Sequence, residues 1–411
     1  MTALTADRAG AERLHALDAV RAGALLLGVA FHAALSFLPG PQLWVTRDAQ
    51  SVELSVFFFT THMFRMTLFF LIAGFFGRML LERRGLGGFL RNRATRIALP
   101  MIVFWPIVFT GIITAFVFGY VAMHPEAAAP GAPPPPSPPL TAQNFPLTHL
   151  WFLYVLCIFY AAALALRGLI VAIDRKGALR GDVVDPVVRF VVKAQLTPLL
   201  AAPAGIALWL KPDWLMWFGV PTPDTGIYPN LAALLAFGAA FGFGWLLHRQ
   251  TDLLRVWEKS WLLNLGSAII LTIACLALVG ATPVVTPEAQ AWKKAAFLIA
   301  YLLGAWSWTV GLIGMALRFL SERNPAIRYV SDASYWIYIA HLPVVMGLQV
   351  WVFQFDWPWA AKFALVLWLA FAALFLSYHV AVRYTFIGAI LNGRKHKRRK
   401  DAPAPALAAA E

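Results

Sequence analysis

Ten apolar stretches, most of them close to 20 residues long, dominate this chain, at about 18–38, 55–80, 98–121, 148–172, 195–210, 229–248, 260–281, 293–318, 331–352 and 361–385. A helix rises ~1.5 Å per residue, so about 20 residues cross a hydrocarbon core ~30 Å thick. The chain has little else to fold with. Of its 411 residues 60% are hydrophobic and only 13% charged, and no long polar region offers the surface a soluble domain would need. The expected fold is all-α: a polytopic integral membrane protein of about ten transmembrane helices, forming one domain over residues 1–390. The fifth stretch is short and carries Pro198 and Pro203, which disfavour an unbroken helix there.

Basic residues beside membrane spans stay on the cytoplasmic side. With the N-terminus inside, 27 of the 34 Lys and Arg fall at inner ends. Arg47, Lys211, Lys293, Lys294 and Lys362 fall outside, and Arg65 and Arg167 within spans. An even number of spans with both termini cytoplasmic explains that bias. The net charge of +14 is dispersed over the inner loops and an "RKHKRRK" tail, which points to membrane lipids as partners rather than nucleic acid. Residues 123–147, Pro-rich and free of Lys and Arg, are expected as an extended, mobile external loop, and 391–411 as a disordered tail. The first stretch reads as an uncleaved signal anchor. Cys157 and Cys275 both lie within spans, so neither a disulfide framework nor a metal site is expected.

Ionisable residues at membrane depth are costly and persist where they face a cavity, a partner or a substrate path. Arg21 and His32 are 11 residues apart, which at ~100° per residue is three turns plus roughly 20°, so they share one helix face. A rise of ~16 Å puts Arg21 near the cytoplasmic surface and His32 deep in the bilayer. Asp18, one turn before Arg21, is placed to orient or neutralise it. The bland alternatives are a topogenic, snorkelling Arg21 and a packing His32. In the second stretch His62 and Arg65 are one turn apart, and Arg65 is far from either surface. Arg93 and Arg96 form a fork suited to phosphate oxygens, although topology alone also demands basic residues there. His149 and Trp151 open the fourth stretch, where a Trp is often only an interfacial anchor. Ser334 and His341 lie two turns apart on nearly one face of the ninth. Pro343 frees a carbonyl in the turn before it, so His341 is also a candidate to satisfy that break.

The segments "LDAVRAGALLLGVAFHAAL", "FRMTLFFLIAGFFGRML", "TRIALPM", "HLWFLYVL" and "DASYWIYIAHLPV", in this order between residues 17 and 344, resemble the acyltransferase-3 superfamily of polytopic membrane acyltransferases. The nearest likeness is to its branch concerned with succinylation of periplasmic glucans. Arg21 and His32 match the family's Arg, ten residues, His pattern, and Arg93 and Arg96 its Arg-x-x-Arg pattern. The Pro-rich loop departs from the family in length. No soluble domain follows the core, so the membrane core is expected to carry the activity alone.

The resemblance implies an O-acyltransferase of the bacterial inner membrane, with acyl-CoA (succinyl-CoA or acetyl-CoA) as donor and a periplasmic glucan or other glycan as acceptor. No tightly bound cofactor is expected. Transfer from a thioester to a hydroxyl needs a base, and neutral imidazole is suited to it, so His32 takes that role. Arg93 and Arg96 would contact donor phosphates, and Arg21 would bind the donor or hold the helix. Arg65 would meet the second carboxylate of a succinyl donor. His62, His149, Trp151, Ser334 and His341 would line the site. The competing classes are a transporter or flippase for an anionic substrate, against which the lack of an internal repeat weighs, and a scaffold whose buried polar pairs only set helix register.

Overall fold

Local chemistry sets where each helix starts and stops. Ser51 caps the second helix, its Oγ accepting from Leu54 N at 3.1 Å. Asn230 Oδ1 accepts from Ala233 N at 2.8 Å, and Asn324 Oδ1 from Ala326 N at 2.8 Å with Pro325 opening the next turn. The chain is a computed structural model describing the backbone of residues 2–128 and 139–393, and the side chains of 15–127 and 139–393. Twelve α-helices follow one another among the described residues: α1 Thr2–Ala34, α2 Val52–Arg93, α3 Leu99–Met123, α4 Trp151–Ile173, α5 Asp185–Lys193 and α6 Ala202–Trp209, then α7 Leu231–Leu247, α8 Leu254–Val279, α9 Ala291–Phe319, α10 Pro325–Phe353, α11 Trp359–Ser377 and α12 Phe386–Asn392.

Seven helical runs are long and apolar enough to cross a membrane, or eight if the pair Leu179–Lys193 and Thr197–Trp209, bent by 115°, forms one span. Two of the seven runs each hold two of the ten expected stretches. Val52–Met123 contains the second and third, interrupted at Gly85 (φ 66°), and Leu231–Val279 contains the sixth and seventh, interrupted at Gln250. The fifth stretch, with its two prolines, is the second arm of the bent pair. Outward-facing apolar side chains such as Ile102, Ile270 and Trp368, each about two-thirds exposed, suit contact with lipid and not with water. This is a membrane protein.

Two hydrophobic clusters form the interior, one built mainly from α2, α4, α7 and α9, the other from α3, α10 and α11. Helix α1 contributes to both, Leu17 and Phe31 to the first and Val29 and Ala33 to the second. It therefore runs along the seam. Helices α2 and α7 touch backbone to backbone: a Cβ on Gly74 would overlap the Phe241 carbonyl, and one on Gly244 the Leu71 carbonyl. Gly74→Ala should destabilise the protein by at least the ~1–3 kcal/mol of an overpacked core, because backbone cannot move aside as a side chain can. Thermal unfolding in detergent measures this, and an unchanged midpoint would refute the close approach.

Three expectations change at the periphery. The Pro-rich loop was expected to be mobile throughout, and 129–138 lie outside the described residues. The following stretch is docked: Pro146 bridges Thr225, Leu147 N donates to Asp224 O at 2.9 Å, and Trp105 Nε1 to Pro146 O at 2.8 Å. Lys362, expected as a loop charge, is buried in α11 and paired with Asp48 at 2.6 Å, both side chains about 5% exposed or less. Desolvated together, the two pin the loop after α1, whose Asp48 N also donates to Ser36 O. Leu391 and Asn392, assigned by the sequence to the tail, belong to α12, where Leu391 is buried. The rest of that tail, 394–411, lies outside the described residues.

Candidate active site

Asp18 and Arg21, one turn apart on α1, form an ion pair at 2.9 Å. They line a cavity of about 360 Å³ with Arg93, Arg96, Arg328 and Asp332. Four guanidiniums against two carboxylates leave this end positive. Arg93 is the last residue of α2, and a π-helical turn, Ala94–Ala98, carries Arg96. Such turns often mark functional sites. Arg93 lies over the Tyr160 ring, 4.6 Å from its centre, while Arg96 donates through Nε and Nη2 to Leu391 O at 3.0 and 2.7 Å. Part of the Arg96 fork is thus spent on holding α12. Tyr335 OH donates to the Arg96 carbonyl at 2.5 Å, fixing α10 against the same turn.

A second cavity, about 540 Å³, lies further along α1. It gathers His32, His62, Arg65, His149 and His341 from four helical segments. The His341 ring centre is 5.2 Å from that of His32 and 4.9 Å from that of His149. His62 stacks on Phe31 at 5.5 Å. Arg65, 9% exposed, lies 3.8 Å above the Phe31 ring, and among the described residues no carboxylate pairs with it. Gly28 leaves room for it, since a Cβ there would sit 3.3 Å from Arg65 Nη1. A buried guanidinium without a counter-charge in a cavity is poised for an anion. Thr148, Thr222, Asp224 and Thr225 also line this cavity.

The two cavities share four lining residues, Leu25, Phe69, Phe152 and Tyr338. Arg21 and His32 therefore do lie along one face of α1, but on opposite sides of a thin wall. Arg65 is separated from Arg93 and Arg96 in the same way and keeps company with the histidines. Ser334 lines the basic cavity, its Oγ donating to Ser331 O at 3.0 Å, whereas His341 lines the other. Trp151 is not an interfacial anchor: it is buried, stacked on Phe237, and reaches the histidine cavity. The carbonyl freed by Pro343, that of Ile339, is met by His149 Nε2 at 3.1 Å and not by His341.

Four residues escape sequence reading. Trp44, on the pinned loop, stacks over His32 at 5.8 Å between ring centres. Gln349, fully buried, accepts from Trp44 Nε1 at 2.9 Å and donates to the carbonyls of His32 and Ala33 at 3.1 and 3.0 Å. Tyr338 OH donates to the His149 carbonyl at 2.6 Å. Asp224 lines the histidine cavity. A polar Gln two turns beyond His341 in an apolar helix was a usable signal for Gln349; the others have none.

No solved structure matches this chain. Glucans biosynthesis protein C from Escherichia coli O1:K1 / APEC is 31% identical over 149 residues, 36% of this chain and 37% of that protein. The protein of the same name from Escherichia coli O139:H28 (strain E24377A / ETEC) matches equally. The aligned stretch thus spans little more than a third of these relatives. The profile described as an acyltransferase domain matches residues 14–381, which hold the whole lining of the histidine cavity and all of the basic cavity's except Leu391 and Asn392. With Arg21, His32, Arg93 and Arg96 all inside that match, the chain belongs to the acyltransferase-3 family of acyltransferases.

Proposed function

We propose that the protein is an O-acyltransferase of the bacterial inner membrane, with ten spans and both termini cytoplasmic, that moves an acyl group from a cytoplasmic acyl-CoA to a hydroxyl of a periplasmic glycan. The basic cavity receives the donor, its phosphates on Arg93, Arg96 and Arg21. The histidine cavity receives the acceptor, and His32 takes the hydroxyl proton as oxygen attacks the thioester carbonyl. The single observation that carries this reading is the pair of cavities, one basic and one rich in imidazole, back to back across four shared residues. Unpaired Arg65 favours succinyl over acetyl, and the name of the partial relatives favours a glucan acceptor.

Mass spectrometry of periplasmic glycans from cells with and without the gene tests the proposal. Succinylated glycan should disappear with the gene. Identical glycans in both strains would remove the acceptor, and unchanged acylation of every surface lipid and polysaccharide would remove the reaction and leave a transporter.

A further inference from the structure

The histidine cavity contains a tautomer problem with one good solution. His341 Nδ1 lies 2.7 Å from the Tyr338 carbonyl, which only accepts, so the ring proton is on Nδ1 and Nε2 is a lone pair. That Nε2 is buried and has no partner. His149 cannot serve it. Its own Nε2 donates to the carbonyls of Tyr338 and Ile339 at 3.0 and 3.1 Å, which makes its Nδ1 a second lone pair. The Tyr338 hydroxyl is committed to the His149 carbonyl, and the remaining imidazole neighbour is His32, whose Nδ1 is likewise buried without a partner. Two buried, unsatisfied nitrogens on neighbouring rings, one of them obliged to accept, call for a shared proton.

We infer that His341 is a positioning residue for His32, accepting its Nδ1–H and so holding the His32 lone pair on Nε2, toward the reacting hydroxyl. A small turn of the half-buried His32 ring closes the pair, with or without substrate. The series is Tyr338 carbonyl, His341, His32, hydroxyl: a base oriented by a third group, with a neutral imidazole in the place a carboxylate often takes. The step balances. The hydroxyl proton moves to His32 Nε2 as oxygen bonds to the acyl carbon; the carbon–sulfur bond breaks, and the proton passes to sulfur, releasing coenzyme A as the thiol. This inference rests on the acyltransferase reading above.

The test uses the full chain in nanodiscs with succinyl-CoA and periplasmic glucan. His341→Leu should lower kcat roughly 10- to 100-fold with KM for the donor unchanged. His341→Gln, whose amide can donate to Tyr338 O and accept from His32, should stay within about fivefold of wild type. On a His32→Ala background, His341→Leu should cost nothing further. Wild-type kcat in His341→Leu, a loss in KM alone, or losses that multiply with His32→Ala would overturn the pairing. A second readout needs no folded His341 variant: ¹⁵N shifts of labelled wild-type protein, with His32 assigned by its absence from His32→Gln, should show His32 protonated on Nδ1, and an Nε2–H tautomer refutes the inference. If wild-type protein transfers no acyl group, the functional reading fails while the tautomer still judges the pair.

Discussion

His32→Ala is expected to lower acyl transfer by about 10²–10⁴-fold, the contribution of a positioned general base. The reason is local. Among the cavity histidines, His149 and His341 each commit a ring N–H to backbone carbonyls of α10, whereas His32 commits neither nitrogen to a protein acceptor among the described residues. Its ring is held by stacking with Trp44 and by Gln349 bonding to its carbonyl, which fix where it sits without occupying its nitrogens. Added imidazole should restore part of the lost rate, since the substitution leaves a gap in an existing cavity. Transfer within tenfold of wild type in a well-folded His32→Ala protein would move the base elsewhere.

The second large effect is one of selectivity. Arg65→Met should reduce transfer from succinyl-CoA by about 30-fold or more while leaving acetyl-CoA within about threefold. Truncating one partner of a desolvated, hydrogen-bonded charge pair costs ~2–5 kcal/mol, and each ~1.4 kcal/mol is tenfold in rate. An acetyl group brings no carboxylate, so it has no such bond to lose. Competition between the two donors for one glucan acceptor gives the ratio directly. An equal fall with both would assign Arg65 to the developing oxyanion, or to packing on Phe31, and would remove the preference for a dicarboxylic donor.

Helical periodicity made one part of this site legible. Arg21 and His32 fall along one face of α1, and Asp18 pairs with Arg21, because both relations depend only on a 3.6-residue turn within one segment. Pro343 likewise announced a free carbonyl. Its partner was not legible, because His149 reaches Ile339 from 190 residues away and no spacing encodes that distance. Trp44 over His32 is hidden for the same reason, since it depends on a loop anchored by Lys362, more than 300 residues further on. Lys362 itself misled: a lysine near the end of an apolar stretch reads as a topological charge, and only packing shows it buried against Asp48. The burial of Arg65 was legible from its depth in an apolar stretch, but sequence does not record which side of a wall such a charge faces. The span count was similarly confounded, since two helical runs each carry two expected stretches across a kink, at Gly85 and at Gln250.

The thin partition of Leu25, Phe69, Phe152 and Tyr338 carries a further demand. If the proposed reaction holds, an enzyme that brings reagents together from two compartments holding different proton and ion activities opens a potential short circuit each time it works. On the proposed reading, the one aliphatic and three aromatic side chains between the cavities would oppose the passage of hydrated ions, and a slender acyl-thioester arm would displace them and fill the gap it makes. Catalytic turnover and electrical insulation would then depend on the same four side chains.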